Sequence, residues 1–319
     1  MLIKDPPVAI TPRLLMLGTN EYPLFLFKGA CEGTIFEGGV SAMGPLMLEQ
    51  MQGLGIGRDF VKQVIVTHAH PDHVMAVPMF REAFPGVKVL ASRAAAGTLS
   101  AAKAMAFFRQ VDEMLTGSLA RAGRITDAHR PQPLAQDQIA VDRIIKEGDT
   151  ISVDEGVAFR VLETPGHSEC SLSFHEPGAG VLVISDATGY YLPDPDFWWP
   201  NYFTGYEAYM HSIRRLAVLG AEVLCLSHNA AIAGAPAVRA YLDGALAATQ
   251  QYHERIVRET GAGRSAREIA GQLGSEVYAR TQLLPLDFFQ KNCGLLVKQS
   301  LRYAGLEPDT QGNVQRGGA

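Results

Sequence analysis

Residues 61–73 read VKQVIVTHAHPDH, and in them an apolar run passes directly into polar side chains that can bind metals. The VKQVIVT part is rich in β-branched residues, which predicts a buried strand. His68 and His70 are two positions apart, so in extended chain they point to the same side. Asp72 and His73 follow where the chain turns. This one segment therefore offers four imidazole and carboxylate ligands.

Three later segments each bring one further metal-competent residue to the end of a strand or turn. TPGH presents His167 after a Pro-Gly turn, VLVISDA ends an apolar strand at Asp186, and LCLSHN ends another at His228. A carboxylate at the end of an apolar strand is costly to bury unless cations compensate it. Imidazole and carboxylate together suit zinc, iron or manganese. The four segments predict a site for two divalent metal ions, with zinc expected first.

These segments resemble the metallo-β-lactamase superfamily over about residues 13–235. The resemblance implies two ligand sets, which are His68, His70 and His167 for one metal and Asp72, His73 and His228 for the second, with Asp186 as the bridge. Two motifs depart from the usual pattern. Leu226-Ser227-His228-Asn229 stands where the superfamily often has Pro-Gly-His-Gly, and Ser185-Asp186 stands where it often has Gly-Asp. Neither departure removes a ligand.

The rest of the chain supplies the pattern of an α/β fold. Short apolar runs between turn residues predict strands at 13–40, 87–92, 143–167, 170–187 and 221–229. Longer runs with few breakers predict helices at 44–56, 71–84, 93–122, 206–219, 236–260, 265–279 and 286–303. By the resemblance, residues 1–235 form an αββα four-layer metallo-β-lactamase sandwich. Residues 236–319 are then a helical C-terminal subdomain with a disordered tail, PDTQGNVQRGGA.

The amino-acid composition indicates which general class of protein the chain belongs to. The chain has 319 residues, 47% of them hydrophobic, and a formal net charge of −5. This balance is typical of a globular protein and argues against nucleic-acid binding. The four cysteines form no closely spaced pair, which predicts buried thiols in a reducing compartment. We find neither a signal-peptide pattern nor an apolar stretch of about 18 residues, so we expect a cytoplasmic protein without a membrane span.

The predicted chemistry is hydrolysis of a thioester, lactone or other ester. A hydroxide bridging the two metals would attack the carbonyl carbon, while one metal polarises the carbonyl oxygen. Asp72 is a candidate to pass a proton to the leaving group. Tyr190, four residues after Asp186, is a candidate to hold the carbonyl oxygen, with simple packing as the alternative.

The substrate is predicted to be a small acyl compound. Residues 190–203, YYLPDPDFWWPNYF, contain seven aromatic residues and form either a wall for an apolar or aromatic acyl group or a packed loop or subunit contact. The helical C-terminal part resembles the glyoxalase II and quinolone-signal-response thioesterase branches. No R-x-x-K follows residue 235, which disfavours a glutathione thioester. A homodimer is compatible with these features, although none of them requires it.

Two other functions remain open at this level. A mononuclear iron sulfur dioxygenase shares the H-x-H-x-D-H motif but would use fewer of the seven ligands. A regulatory protein would act through partner contacts and keep a largely structural metal site.

Overall fold

The computed structural model describes residues 1–131 and 137–306. They divide into two compact units. The first comprises Met1–Glu163, Cys170–Ser185 and Gly220–Val238, and the second comprises Thr164–Glu169, Asp186–Leu219 and the chain from Arg239 onward. The tail predicted to be disordered lies outside the described residues. The predicted domain boundary after residue 235 stays a prediction.

The first unit contains two seven-stranded sheets. One has the order β2-β3-β4-β5-β6-β7-β8, with strands Val8–Thr11, Leu14–Gly18, Pro23–Lys28, Gly33–Phe36, Val61–Ile65, Lys88–Ala91 and Arg143–Ile144. The other has the order β1-β16-β15-β12-β11-β10-β9, with strands Leu2–Ile3, Ala231–Ala233, Val223–Leu226, Val181–Ser185, Leu172–Glu176, Val157–Glu163 and Thr150–Asp154. β5, β6, β7 and β8 pair in parallel, as do β12 and β15.

Apolar side chains from both sheets form one core. Phe27 and Phe36 of the first sheet contact Phe159 of the second, with ring centroids 5.2 and 4.7 Å apart. The strands β3, β4, β5 and β12 are almost wholly buried, which explains why they read as continuous apolar runs rather than as alternating ones. This sandwich fixes the strand ends from which the polar motifs emerge.

Four helices belong to the first unit, α1 (Met43–Gly53), α2 (Val77–Ala83), α3 (Arg93–Leu99) and α4 (Ala102–Arg121). The helix expected from residue 71 starts later, at Val77. Residues Pro71–His73 form a 3₁₀ turn instead, with Pro71 at its first position. That turn changes the direction of the chain between His70 and α2, which the amphipathic pattern alone could not show.

The second unit contains the hairpin β13 (Tyr190–Leu192) and β14 (Phe197–Trp199), the helix α5 (Tyr206–Ala217), and helices α7 (Ala266–Thr281) and α8 (Leu286–Tyr303). Most of α6 (Ala235–Gly261) lies in it as well. The three helices predicted after residue 236 are therefore confirmed. Within the described residues, no helix combines the length and the apolar character needed to cross a membrane.

Candidate metal centre

The H-x-H-x-D-H motif begins just past the buried end of β6. His68 is fully buried, and its Nε2 lies 3.0 Å from Nδ1 of His70, so the two rings converge as their spacing predicts. The 3₁₀ turn at Pro71–His73 then brings Asp72 beside His73, with Oδ2 of the carboxylate 3.4 Å from Nε2 of the ring.

His167 is held by the Pro-Gly turn before it. Gly166 has a φ of +122°, and a Cβ at this position would lie 2.5 Å from the Cβ of Tyr209 and closer still to its backbone. The Gly166 carbonyl accepts hydrogen bonds from the backbone and the hydroxyl of Thr204. Only glycine fits this close approach. The turn therefore places His167, whose Nε2 lies 3.3 Å from Asp186 Oδ2.

His228 follows the buried end of β15. Its Nδ1 donates to the backbone carbonyl of Glu21 over 2.7 Å, and its Nε2 lies 3.7 Å from Asp72 Oδ2. The ring of Tyr22 packs edge-on against it. The β3–β4 turn thus orients a residue more than 200 positions further along the chain.

The seven residues predicted as ligands fall into two groups, in each of which the candidate ligand atoms lie within 4.8 Å of one another. We call them the first donor group, His68, His70, His167 and Asp186, and the second donor group, Asp72, His73 and His228. Their assignment as ligands of particular metals stays a prediction. The grouping agrees with the two ligand sets implied by the resemblance, and Asp186 belongs to the first donor group.

The hydrogen bonds of the histidine Nδ1 atoms show whether the rings are oriented to bind a metal through Nε2. In four histidines Nδ1 lies 2.7–3.0 Å from an oxygen outside the donor groups: Ser185 Oγ for His68, Glu37 Oε2 for His73, and the carbonyls of Asn201 and Glu21 for His167 and His228. A hydrogen bond of this kind fixes the tautomer and leaves the Nε2 lone pair for a cation. The donor set is nitrogen and carboxylate oxygen, which suits zinc.

Glu37 is a site residue that the sequence analysis missed. It follows β5 in the left-handed region, with a φ of 78°, and is almost fully buried. Its carboxylate accepts hydrogen bonds from His73 Nδ1 and from Thr67 Oγ1. The signal was an acidic residue at the end of an apolar strand, the same signal that identified Asp186. Because Gly38 and Gly39 follow it, the sequence analysis interpreted Glu37 as part of a turn.

Asp112 on α4 is a second buried acid that the sequence did not reveal. Its carboxylate accepts hydrogen bonds from the backbone N–H and the hydroxyl of Ser41, in the segment between β5 and α1. Burial raises the pKa of Asp112 to about 6. Asp112 therefore ties the Ser41 segment to α4.

The two departures from the superfamily motifs lie where glycine is conformationally favoured. Ser185 has a φ of 49° and Asn229 has a φ of 67°, so each non-glycine residue adopts the left-handed conformation. Asparagine tolerates this conformation better than most residues. Both residues therefore stand at backbone positions that glycine adopts more easily.

The aromatic segment at 190–203 forms the β13–β14 hairpin. Tyr190 is largely buried and stands opposite Trp199 in the register of the hairpin. The ring of Tyr191 packs on Trp198 at 4.4 Å and edge-on against Tyr241 of α6. Tyr191 and Trp198 therefore pack against one another, and the wall for an acyl group stays a prediction. The catalytic role of Tyr190 stays a prediction.

Comparison with known proteins places the chain in a family. A model of the metallo-beta-lactamase superfamily matches residues 25–228. The hydroxyacylglutathione hydrolase of Fuscovulum blasticum is 27% identical over 188 residues, 57% of this chain and 50% of that protein. That of Cereibacter sphaeroides is 27% identical over 177 residues, 55% and 51% respectively. The chain spans about half the length of these curated relatives.

A solved structure extends the likeness to nearly the whole chain. The crystal structure of a metallo-beta-lactamase family protein from Thermus thermophilus superposes with a TM-score of 0.63 at 22% identity, covering 97% of both chains. This similarity shows the fold and confirms the predicted α/β class with its C-terminal helices. Because the superfamily model covers more than half of the sequence, the chain belongs to the metallo-beta-lactamase superfamily.

Proposed function

We propose that this chain is a hydrolase that uses two divalent metal ions, zinc first among them, to cleave a thioester, lactone or other ester. The observation that carries the proposal is the pair of donor groups, seven metal-competent residues gathered from four separate segments. Membership of the superfamily and the hydroxyacylglutathione hydrolase relatives support a hydrolase.

In this proposal His68, His70 and His167 hold one ion, and Asp72, His73 and His228 hold the second. Asp186 would be the ligand common to both ions, as the resemblance implies. Divalent ions supply Lewis-acid polarisation of a carbonyl and a water of lowered pKa. The protein supplies rigid rings, since hydrogen bonds at the outer nitrogens fix four of the five imidazoles.

Asp72 is the proposed proton carrier. A quarter of its side chain is exposed, whereas His73, His228 and Asp186 are almost fully buried. Hydrolysis adds the oxygen of water to the carbonyl carbon and breaks the C–S or C–O bond. The proton that Asp72 takes from the water then passes to the leaving thiolate or alkoxide, which balances the reaction. Tyr190 is proposed to hold the carbonyl oxygen.

The acyl group is proposed to be apolar or aromatic, because the aromatic hairpin follows Asp186 directly along the chain. A glutathione thioester is less favoured, since no R-x-x-K follows residue 235. Lys291 of α8 forms an ion pair with Asp287, one turn earlier on the same helix. The homodimer and the cytoplasmic location remain predictions.

Metal content and hydrolysis test the proposal together. Protein purified without added metal is analysed by mass spectrometry, titrated with zinc, and assayed on matched panels of thioesters and lactones. We expect two ions per chain and hydrolysis that His70→Ala and Asp186→Asn reduce by at least about 100-fold. Arg239→Ala, at an exposed position of α6, is the control and should keep full activity. One iron per chain with no second ion on titration would instead support the sulfur dioxygenase.

A further inference from the structure

A buried carboxylate lies at the meeting point of two hydrogen-bonded paths, one from each donor group. His73 of the second donor group approaches Glu37 directly, with Nδ1 2.8 Å from Oε2. From the other side, the hydroxyl of Thr67 lies 3.0 and 2.9 Å from the two oxygens of Glu37. A carboxylate accepts several hydrogen bonds at once, so both contacts hold together.

The path through Thr67 continues to the first donor group. Thr67 Oγ1 lies 2.7 Å from Ser185 Oγ, which in turn lies 3.0 Å from Nδ1 of His68. The direct distance from Thr67 Oγ1 to His68 Nδ1 is longer, 3.3 Å. We call this set the Glu37 relay: His68, Ser185, Thr67, Glu37 and His73. Every member is at most 2% exposed, so bulk water does not compete with these bonds.

The number of protons available fixes which atom donates and which accepts in each hydrogen bond of the relay. Glu37 as a carboxylate has no proton to donate, so the single hydroxyl proton of Thr67 points to it. Thr67 then accepts from Ser185, and Ser185 accepts from the Nδ1–H of His68. The same carboxylate accepts the Nδ1–H of His73. In both histidines the proton is on Nδ1, and the Nε2 lone pair remains for a cation.

Backbone strain at Ser185 indicates that its side chain matters. With a φ of 49°, the residue adopts a left-handed conformation that is unfavourable for an ordinary L-residue. Glycine would avoid this cost and would also remove the hydroxyl. An observed outlier of this kind is a reason to look for a role of the side chain.

We infer that Glu37 is a shared positioning residue for both donor groups, and that it acts on His68 only through the hydroxyls of Thr67 and Ser185. The inference rests on the proposed metal sites. It goes beyond them because it makes the two metal affinities depend on one side chain that binds neither ion. Removing Ser185 Oγ should affect one site, whereas changing Glu37 should affect both.

Two background variants allow zinc binding at each donor group to be measured separately. His228→Ala removes a ligand from the second donor group, and His167→Ala removes one from the first. In each background the zinc affinity is measured by competition with a chromophoric chelator, using Zn²⁺ alone as the probe. Ser185→Gly is then added, since glycine adopts a φ of 49° without strain and the variant should fold.

We expect Ser185→Gly to weaken zinc binding about 10- to 100-fold in the His228→Ala background and less than about twofold in the His167→Ala background. Glu37→Gln should weaken it about 10-fold or more in both. Thr67→Val should behave like Ser185→Gly, whereas Thr67→Ser, which keeps the hydroxyl, should behave like the parent. This pair of threonine variants controls for packing.

Other results would overturn the inference. Equal affinities for Ser185→Gly and its parent, or an equal loss in both backgrounds, would show that the relay does not pass through Ser185. A Glu37→Gln loss confined to the His167→Ala background would show that Glu37 serves His73 alone. Failure of the wild-type protein to bind zinc would refute the proposed metal function, and this inference with it, before any variant is compared.

Discussion

Gly166 shows how one residue without a side chain fixes a candidate ligand. A Cβ there would collide with the backbone of Tyr209, and the φ of +122° disfavours any L-residue. We expect Gly166→Ala to lower the free energy of unfolding by about 2–4 kcal/mol, since overpacking and backbone strain add. It should also weaken metal binding, because His167 must shift. Denaturant unfolding measures the first effect and zinc titration the second.

Gly97 provides a matched control for this substitution. It lies within α3, and nothing stands within 4 Å of the position its Cβ would take. Gly97→Ala should therefore be neutral or stabilise the protein by up to about 1 kcal/mol, as alanine favours helix. If Gly166→Ala unfolds at the same denaturant concentration as Gly97→Ala, the close approach to Tyr209 is not a constraint.

Asp112 should make stability depend on pH in an unusual direction. Burial raises its pKa from 3.8 to about 6, so between these values the folded state holds a proton that the unfolded state has lost. Stability from this group is thus present below about pH 4 and is lost as the pH rises through about 6. The loss is of the order of 3 kcal/mol.

The Asp112→Asn variant isolates this contribution. Asparagine does not titrate, so its free energy of unfolding relative to wild type should rise by roughly 2–3 kcal/mol between about pH 4 and pH 7. Chemical unfolding of both proteins at several pH values gives the difference directly. A difference that stays flat with pH would mean that folding does not raise the pKa of Asp112.

At the scale of elements, a bidentate ion pair between Arg255 and Glu276 links helices α6 and α7 in the second unit. Both guanidinium ends of Arg255 donate to Glu276 over 2.8 Å, and its Nε donates to Glu259. The pair is half-buried and bidentate, so we expect Glu276→Gln to cost about 1 kcal/mol of unfolding free energy. Asp287→Asn, which breaks the exposed pair with Lys291 on α8, should cost clearly less, because solvent screens an exposed pair. Equal costs in thermal unfolding would contradict this ranking.

The sequence predicted the buried strands and the later helices because their signal is local. β3 and β4 are unbroken or nearly unbroken apolar runs, and β6 is rich in β-branched residues. Helices α6 to α8 keep a helical pattern over many residues. The short strands β1, β2 and β16 were missed, since strands of two to four residues form through pairing rather than propensity. The β13–β14 hairpin was missed too, because the two prolines and two aspartates between its strands, at 193–196, are typical of a loop.

At the scale of the whole molecule, residue type and order in the sequence predicted which residues form the donor groups. They did not predict the hydrogen-bond partners of the histidines that lie far away in the sequence. The motifs named all seven members of the donor groups. They did not indicate Glu37, which lies 36 positions from His73, or the Glu21 carbonyl, which lies 207 positions from His228. Such partners carry no spacing signal, because the fold alone brings them together.

Metal removal should therefore act on the fold as well as on the chemistry. The donor residues come from widely separated segments between His68 and His228, so a bound ion links distant parts of one chain and stabilises the folded state by mass action. With zinc at about 1,000 times its dissociation constant, the gain is about 4 kcal/mol for each ion. We expect a chelator to lower the thermal midpoint of the wild type by several degrees, and added zinc to restore it. The double variant His70→Ala, His228→Ala, with one ligand removed from each donor group, should show the same midpoint with and without zinc. A wild-type midpoint that does not respond to chelator or zinc would contradict the link between metal and fold, and would leave the two donor groups without a thermodynamic role.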